Sequence, residues 1–223
     1  MGEIIMHPCL KAALAGTAAF SAALAAADAA VLVTNKAGFL STTGATSATG
    51  PIPIVAGGLT SYTVGSTTFS AENPSTLNFT QDWTNRIAGN QFAVNGDEDI
   101  NADFGGDVFS FGFDFVEPEN DPLVNAPFVD STFEISLCDG GSCFDSVQFN
   151  APNDAAAFIG VISSLAFDSV IIRELVGGVE NEFFGEFYTS TEPVSDVPLP
   201  AAAPLFLAGL TGAGFAFRRK RGN

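Results

Sequence analysis

The sequence lacks most of the side chains that enzymes use for catalysis. Its one histidine is His7, near the start of the chain, and the only lysine between residues 31 and 197 is Lys36. Without histidine, that stretch cannot form a Ser-His-Asp or Cys-His arrangement or a zinc site with an imidazole ligand. No glycine-rich phosphate loop joins an apparent strand to a helix, and a single lysine outside any apparent element argues against Schiff-base chemistry.

Positive charge is almost absent from the same stretch. It holds 23 acidic residues against three basic ones, Lys36, Arg86 and Arg173, so its net charge is near −20. A surface this acidic repels nucleic acid and anionic lipid headgroups, and it attracts cations. We therefore expect no nucleic-acid partner.

The aromatic residues are mostly of one type, with 22 phenylalanines against one tryptophan and two tyrosines. A disordered chain would be poor in aromatic residues, whereas this one is 47% hydrophobic. Once the two unusual ends are set aside, about 165 residues remain, enough for one domain with a core. Sugar-binding sites favour tryptophan and tyrosine, so the aromatic candidates for such a site are Trp83, Tyr62 and Tyr188. A packing role is the alternative, and we favour it for Trp83.

The N-terminal segment has the layout of a secretory signal. A nearly unbroken run of small apolar residues extends from Ala12 to Leu24, and Ala25-Ala-Ala-Asp-Ala29 follows it. This pattern predicts a signal peptide over residues 1–27 that is read by the secretion machinery and removed by signal peptidase. Translation starts at Met1 or Met6, and a buried N-terminal helix is the alternative interpretation.

The C-terminal segment combines a proline motif, a short apolar run and a basic cluster. The motif consists of Val197, Pro198, Leu199, Pro200 and Ala201. A helix over 204–217 would be about 21 Å long, which is short for a hydrocarbon core of about 30 Å. The positive-inside rule keeps the stop-transfer cluster in the cytoplasm and places the body outside; this cluster is Arg218, Arg219, Lys220 and Arg221.

These three C-terminal parts, in this order, resemble the VPLPA-CTERM sorting signal, a variant of the bacterial PEP-CTERM system. The resemblance covers residues 197–223 and implies recognition by an exosortase, a membrane-embedded cysteine transpeptidase that cuts near the proline motif. It further implies an exported protein that is anchored transiently in the inner membrane and then reaches the cell surface or the exterior. An ordinary single-span tail anchor is the alternative.

The body, residues 28–196, has the pattern of an all-β domain. The strand Val108–Val116 alternates strictly, with its aromatic residues on one face: Phe109, Phe111, Phe113 and Phe115. A second alternating strand carries Phe133, Ile135 and Leu137 inward, and residues 155–164 are a strand or a helix. Short strands with Gly, Pro and Asp turns predict an antiparallel β-sandwich of the jelly-roll type, with a flexible loop at 42–58. Residues 109–188 resemble the galactose-binding-like jelly rolls common in PEP-CTERM proteins.

Two cysteines flank a predicted hairpin turn. Cys138 ends one strand, Asp139-Gly-Gly-Ser142 forms the turn, and Cys143 begins the returning strand. Paired strands bring such residues within bridging range, and an exported chain is oxidised. We therefore predict a Cys138–Cys143 disulfide.

An acidic run offers the best candidate for a metal site. Asp97, Asp99, Asn101 and Asp103 recur at every second residue, so their oxygens converge on one side of an extended loop, which suits calcium. A solvated acidic loop is the alternative. No other cofactor is expected.

Two functions stay open for the body. The first is a non-catalytic protein of the cell surface or extracellular matrix that binds a polysaccharide. The second is an exported enzyme that cleaves glycans with two carboxylates, because 23 acids make some carboxylate pair inevitable. The shortage of histidine, lysine, tryptophan and tyrosine favours the first function, the non-catalytic protein.

Overall fold

The computed structural model describes residues 30–55, 57–72, 74–80, 85–119, 128–177 and 182–194. The predicted signal peptide, the predicted sorting signal and Trp83 lie outside these residues. The described part is all-β apart from one short helix. Its elements are β1 (Val31–Val33), α1 (Lys36–Thr43), β2 (Thr46–Ser47), β3 (Ser61–Val64), β4 (Thr67–Ala71), β5 (Thr76–Thr80), β6 (Gln91–Asn95), β7 (Ile100–Val116), β8 (Thr132–Asp139), β9 (Ser142–Phe149), β10 (Ala157–Val176) and β11 (Phe183–Ser190).

Two long antiparallel strands, β7 and β10, run through both layers of the molecule. The second half of β7 pairs with β11 and with the first half of β10, which also pairs with β1. The first half of β7 pairs with β4 and with the second half of β10, which also pairs with β8. The register between the two long strands shifts between Ile162 and Ser169, where the layers meet. One layer therefore has the order β5-β6-β11-β7-β10-β1 and the other β3-β4-β7-β10-β8-β9.

Phenylalanine fills the space between the layers. The Phe69 ring of β4 lies 4.7 Å from the Phe187 ring of β11, and the Phe115 ring of β7 lies 5.4 Å from the Phe133 ring of β8. The largest fully buried side chains of the described residues are all phenylalanine. The predicted antiparallel β-sandwich is thus confirmed, because every strand pair is antiparallel and the two layers share one apolar core.

The alternation predicted along β7 holds over only part of the strand. Phe111, Phe113 and Phe115 are fully buried, but Phe109 is only half-buried, which corrects its assignment to the buried face. Val108 and Phe111 both belong to the core, and strict alternation cannot place both on one face. The register shift opposite these residues changes which side chains point inward.

The segment that sequence left open between strand and helix, residues 155–164, contributes the start of strand β10. Ile159 and Val161 face the main core, while Phe158 and Ile162 face a second cluster under α1. A strand buried on both faces is apolar without alternation, so periodicity alone could not distinguish it from a helix.

Helix α1 was not predicted, and Lys36, assigned to no element, is its first residue. The Asn35 side chain caps the helix by accepting a hydrogen bond from the Gly38 N–H at 3.0 Å. Gly44 ends it in the left-handed conformation, with φ 65°. Phe39 anchors the helix on the outer face of β10, 5.1 Å from the Phe158 ring.

The β8–β9 hairpin has the predicted turn. Gly140 and Gly141 form the two-residue connection with φ 55° and 80°, values that glycine adopts without strain. Cys138 and Cys143 face each other across the ladder and are joined by a disulfide.

The predicted loop at 42–58 includes the end of α1 and strand β2, and is otherwise irregular over its described residues. Its Ile52 side chain is 2% exposed and belongs to the main core. This part of the segment is therefore packed against the sandwich.

Candidate functional site

Three glutamates from distant parts of the sequence meet at one place in the fold. Glu98 lies in the turn between β6 and β7, Glu174 lies near the end of β10, and Glu182 directly precedes β11. One carboxylate oxygen from each lies within 4.8 Å of the other two. Glu98 is 1% exposed and Glu182 is 0% exposed, while Glu174 is half-buried, so the group, here called the glutamate cluster, is closed to solvent except at Glu174.

The Ser131 side chain contacts two members of the glutamate cluster. Its hydroxyl lies 3.0 Å from Glu174 Oε1 and 2.8 Å from Glu182 Oε1, but a hydroxyl has one proton and can donate to one oxygen at a time. Neither carboxyl oxygen of Glu98 accepts a hydrogen bond from another residue, although both are buried. A buried polar group without a partner destabilises the folded state, so we expect a proton or a cation to bind these oxygens.

The electrostatics of the glutamate cluster also favour a bound proton or cation. Burial first, then the negative charge of Glu182 and the close contact with Glu174, raise the pKa of Glu98 to about 12. Two ionised carboxylates 4.8 Å apart repel each other by about 3 kcal/mol at an effective dielectric constant of 20. Three of them cannot all stay ionised at this spacing unless a positive charge lies among them.

The three aspartates of the predicted calcium site, Asp97, Asp99 and Asp103, do not converge on one point. The Asp99 carboxylate accepts a hydrogen bond from the Glu174 N–H at 3.0 Å, the Asp103 carboxylate accepts one from the Gly105 N–H at 2.8 Å, and Asp97 is exposed. Asn101 and Asp103 line a groove of about 330 Å³ beside the disulfide. Within the described ranges, the acidic group that lies within reach of one ion is the glutamate cluster. Calcium binding by the acidic run stays a prediction.

Sequence reasoning passed over Glu98, although it lies within that acidic run. Its partners Glu174 and Glu182 are far along the chain, and nothing local connects them. The chain turns at Gly96, where φ is 124°, and Glu98 enters the interior while its neighbour Asp97 stays in solvent. The one local signal was a glutamate among aspartates directly before a buried strand.

A second candidate site is a polar groove of about 590 Å³ at the start of α1, here called the Lys36 groove. The Lys36 ammonium donates hydrogen bonds to both carboxylate oxygens of Asp114, at 2.9 and 2.7 Å, and to the Tyr188 hydroxyl at 2.7 Å. The groove is lined by residues of four segments, including Asn35, Lys36, Arg86, Asp114 and Phe158. Charged and amide groups of this kind can bind the hydroxyl groups of a sugar.

The tyrosine candidates for a sugar platform have other roles. Tyr188 is 8% exposed, and its ring lies under the Lys36 ammonium, 4.3 Å from it. Burial and the negative charge of Asp114 raise the pKa of Tyr188, so its hydroxyl stays a donor, directed to Glu186 at 2.9 Å. Tyr62 packs on the Phe79 ring at 5.0 Å. Tyr188 therefore presents no open face, whereas Tyr62 is half-buried at the border of the core.

The C-terminal residues match a known family model. The match is to the PEP-CTERM protein-sorting motif and covers residues 196–221. The chain carries a PEP-CTERM sorting motif. The PEP-CTERM match includes all five residues of the proline motif and the whole basic cluster, so the resemblance seen in the sequence is confirmed. The PEP-CTERM motif implies an exported protein that an exosortase processes after transient anchoring in the membrane.

Other comparisons add little to the PEP-CTERM match. No curated protein matches the chain. Among solved structures, two mutants of the family 29 carbohydrate-binding module CBM29-2 align at 13% identity. One covers 70% of this chain and 98% of the module with a TM-score of 0.36, and the other 77% and 99% with 0.33. A third mutant, complexed with mannohexaose, aligns at 13% identity with a TM-score of 0.33 and covers 77% and 99%. Likeness at this level carries no argument about ligands.

A membrane-spanning helix is not found among the described residues, where α1 is the one α-helix and has eight residues. The predicted transmembrane helix at 204–217 lies outside that part of the chain.

Proposed function

We propose that the chain is a non-catalytic protein of the cell surface or extracellular matrix, sorted by an exosortase, whose sandwich body binds an extracellular polysaccharide. The observation that carries the sorting half is the PEP-CTERM motif at residues 196–221. In this proposal the secretion machinery exports the chain and signal peptidase removes residues 1–27. The apolar helix at 204–217 then holds the chain in the inner membrane until the exosortase acts.

The sorting step follows from the order of its three parts. In this proposal the fixed φ of Pro198 and Pro200 favours an extended motif, which a protease at the membrane surface could reach. Arg218 to Arg221 stop translocation, so the motif stays at that surface. The apolar helix between them is short for a permanent span, which suits a temporary anchor.

Sorting is tested by the mass of the mature C-terminus in a host that has the exosortase. The native chain should end near residue 201, and a double Pro198→Ala, Pro200→Ala variant should stay at full length in the inner membrane. Pro193→Ala is the matched control, because Pro193 lies just before the matched motif, and it should be processed normally. Envelope protein that still ends at Asn223 would favour the plain tail anchor.

Polysaccharide binding is assigned to the Lys36 groove. This groove brings a cation, a carboxylate and an amide side chain together over a wall formed by Phe158 and Ala157. The body is otherwise strongly acidic, so a groove with both Lys36 and Arg86 is its best place for a neutral or acidic sugar chain. A jelly-roll topology of the galactose-binding type is part of this proposal.

Binding is tested by a glycan array and polysaccharide pull-down, with and without calcium. Lys36→Gln should weaken retention at least tenfold, because it removes a donor from the groove and frees Asp114. Arg173→Gln is the matched control, since it also removes one cation and one ion pair, that with Glu72, from the same body. Equal retention of the native chain and both variants would place the ligand elsewhere.

The alternative, a glycan-cleaving enzyme, needs two carboxylates that face a substrate across a cleft. The carboxylates of the glutamate cluster lie near one another, but Glu98 and Glu182 are sealed from solvent. A sugar ring could not enter between them without opening the end of the sandwich. This burial supports the non-catalytic proposal.

A further inference from the structure

The glutamate cluster has a feature that a solvated acidic patch lacks. Both oxygens of Glu98 are buried, accept no hydrogen bond from another residue, and lie against the carboxylates of Glu174 and Glu182. Evolution of a stable core would normally replace such a residue with an apolar one, because an unpartnered buried carboxyl destabilises the fold. The arrangement becomes favourable when a cation occupies the space among the oxygens.

We propose that Glu98, Glu174 and Glu182, together with the Ser131 hydroxyl, form a buried binding site for one calcium ion. The donors are all oxygen, which selects a hard cation over zinc or copper. Oxygens bound to calcium lie 2.3–2.6 Å from it, so two ligands on opposite sides are roughly 5 Å apart. The three carboxylate oxygens lie within 4.8 Å of one another and satisfy that limit.

Calcium fits this site better than magnesium for a reason of hydration. Magnesium keeps several of its waters and demands near-octahedral geometry. The glutamate cluster is closed to solvent at Glu98, Glu182 and Ser131, so little space is left for a hydrated ion. Three carboxylates supply one negative charge more than the ion neutralises, and ligand charge is one of the factors that set calcium affinity.

The site would join three segments at one end of the sandwich. Glu98 belongs to the β6–β7 turn, Glu174 lies near the end of β10, and Glu182 is the residue directly before β11. The backbone around it is already linked, because the Glu174 N–H donates to Asp99 and the Ser131 N–H donates to Glu117 at 2.5 Å. The ion adds a bond between segments whose side chains otherwise repel. This proposal does not depend on sorting or on polysaccharide binding.

The test is metal content and thermal unfolding of the full chain purified after export. The chain is treated with chelator, dialysed, and supplied with calcium or magnesium alone. One calcium per chain should be retained, and at a hundredfold excess over the dissociation constant the melting temperature should rise by about 5–10 °C. Magnesium should give less than half of that shift.

Variants separate the glutamate cluster from the neighbouring acidic run. Glu98→Gln and Glu182→Gln should each weaken calcium binding at least tenfold. Asp97→Asn and Asp103→Asn are the matched controls, and they should bind calcium as the native chain does. Loss of binding in the controls, but not in the cluster variants, would assign the ion to the acidic run and overturn the proposal.

A further variant changes geometry without changing charge. A methyl group at Gly177 would overlap the Glu174 carboxylate, so Gly177→Ala should displace that ligand and weaken binding while the chain stays folded. The proposal fails if the native chain retains no calcium and does not shift. It also fails if Glu98→Gln raises the melting temperature to the same value with and without calcium, because the cluster then holds protons and no ion.

Discussion

Replacing Phe113 by alanine tests how the core is organised along β7. Phe113 is fully buried at the centre of the sandwich and its ring contacts others at centroid distances of 5.2–6.1 Å, those of Phe111, Phe115, Phe149, Phe184 and Phe187. Truncating a buried phenylalanine costs about 3–5 kcal/mol, through lost transfer energy and the cavity that remains. For a domain of this size that corresponds to a drop of roughly 10 °C in melting temperature.

Phe109→Ala is the matched control because it removes the same atoms from the same strand. Phe109 is half-buried and outside the core, so its loss should cost about 1 kcal/mol. Urea unfolding of both variants, at an unchanged m-value, measures the difference. Strict alternation would place both rings on one buried face and predicts equal losses. Equal losses would therefore refute the register shift between β7 and β10.

Three further predictions concern other parts of the body. Replacing Cys138 and Cys143 by serine should lower the free energy of unfolding by about 2 kcal/mol or less, because the loop that the disulfide closes is short. An intact-mass measurement that finds two free thiols in the native exported chain would contradict the disulfide. Gly160→Ala should lower the free energy of unfolding by about 1–3 kcal/mol, since its methyl group would approach Phe39 and Phe158 to 2.8 and 2.9 Å and force α1 outward. A melting temperature equal to that of the native chain would show that α1 can move away without cost. In the chelator-treated chain the free energy of unfolding should fall as pH rises above about 4.5, because the raised pKa of Glu98 means that the folded state keeps a proton which the unfolded state releases. Urea unfolding at pH 5 and pH 8 measures this change. A free energy of unfolding that rises with pH would contradict it.

Much of the sheet could be predicted because its signals are local. Alternation along β7 and β8 reports one buried face, and the glycines at the β8–β9 turn, with the flanking cysteines, report a hairpin. Where a strand is buried on both sides, as at Phe158–Ile162, alternation disappears and the sequence is ambiguous. Helix α1 was missed because it is short and is held by long-range contacts, those of Phe39 with Phe158 and of Lys36 with Asp114, which sequence cannot show.

The candidate sites depend on long-range contacts and were harder to predict. The acidic run was a reasonable interpretation, but an extended strand places alternate residues on one face only if it stays straight and exposed. At Gly96 the chain turns, and Glu98 is buried against Glu174 and Glu182, residues from another strand and another connection. Lys36 likewise meets Asp114 only because α1 covers the first layer. Neither pairing leaves a local trace in the sequence.

The position of β11 has a mechanical consequence for a chain that carries a sorting motif at its C-terminus. Any pull on that end reaches β11 first, since it is the last strand of the described chain. β11 is not an edge strand, because it lies between β6 and β7 and the end of β11 also pairs with β2. A force along the strand must therefore shear several backbone hydrogen bonds at once instead of peeling them singly. The body should resist a force applied at its C-terminal end better than a sandwich whose final strand lies at an edge of the sheet.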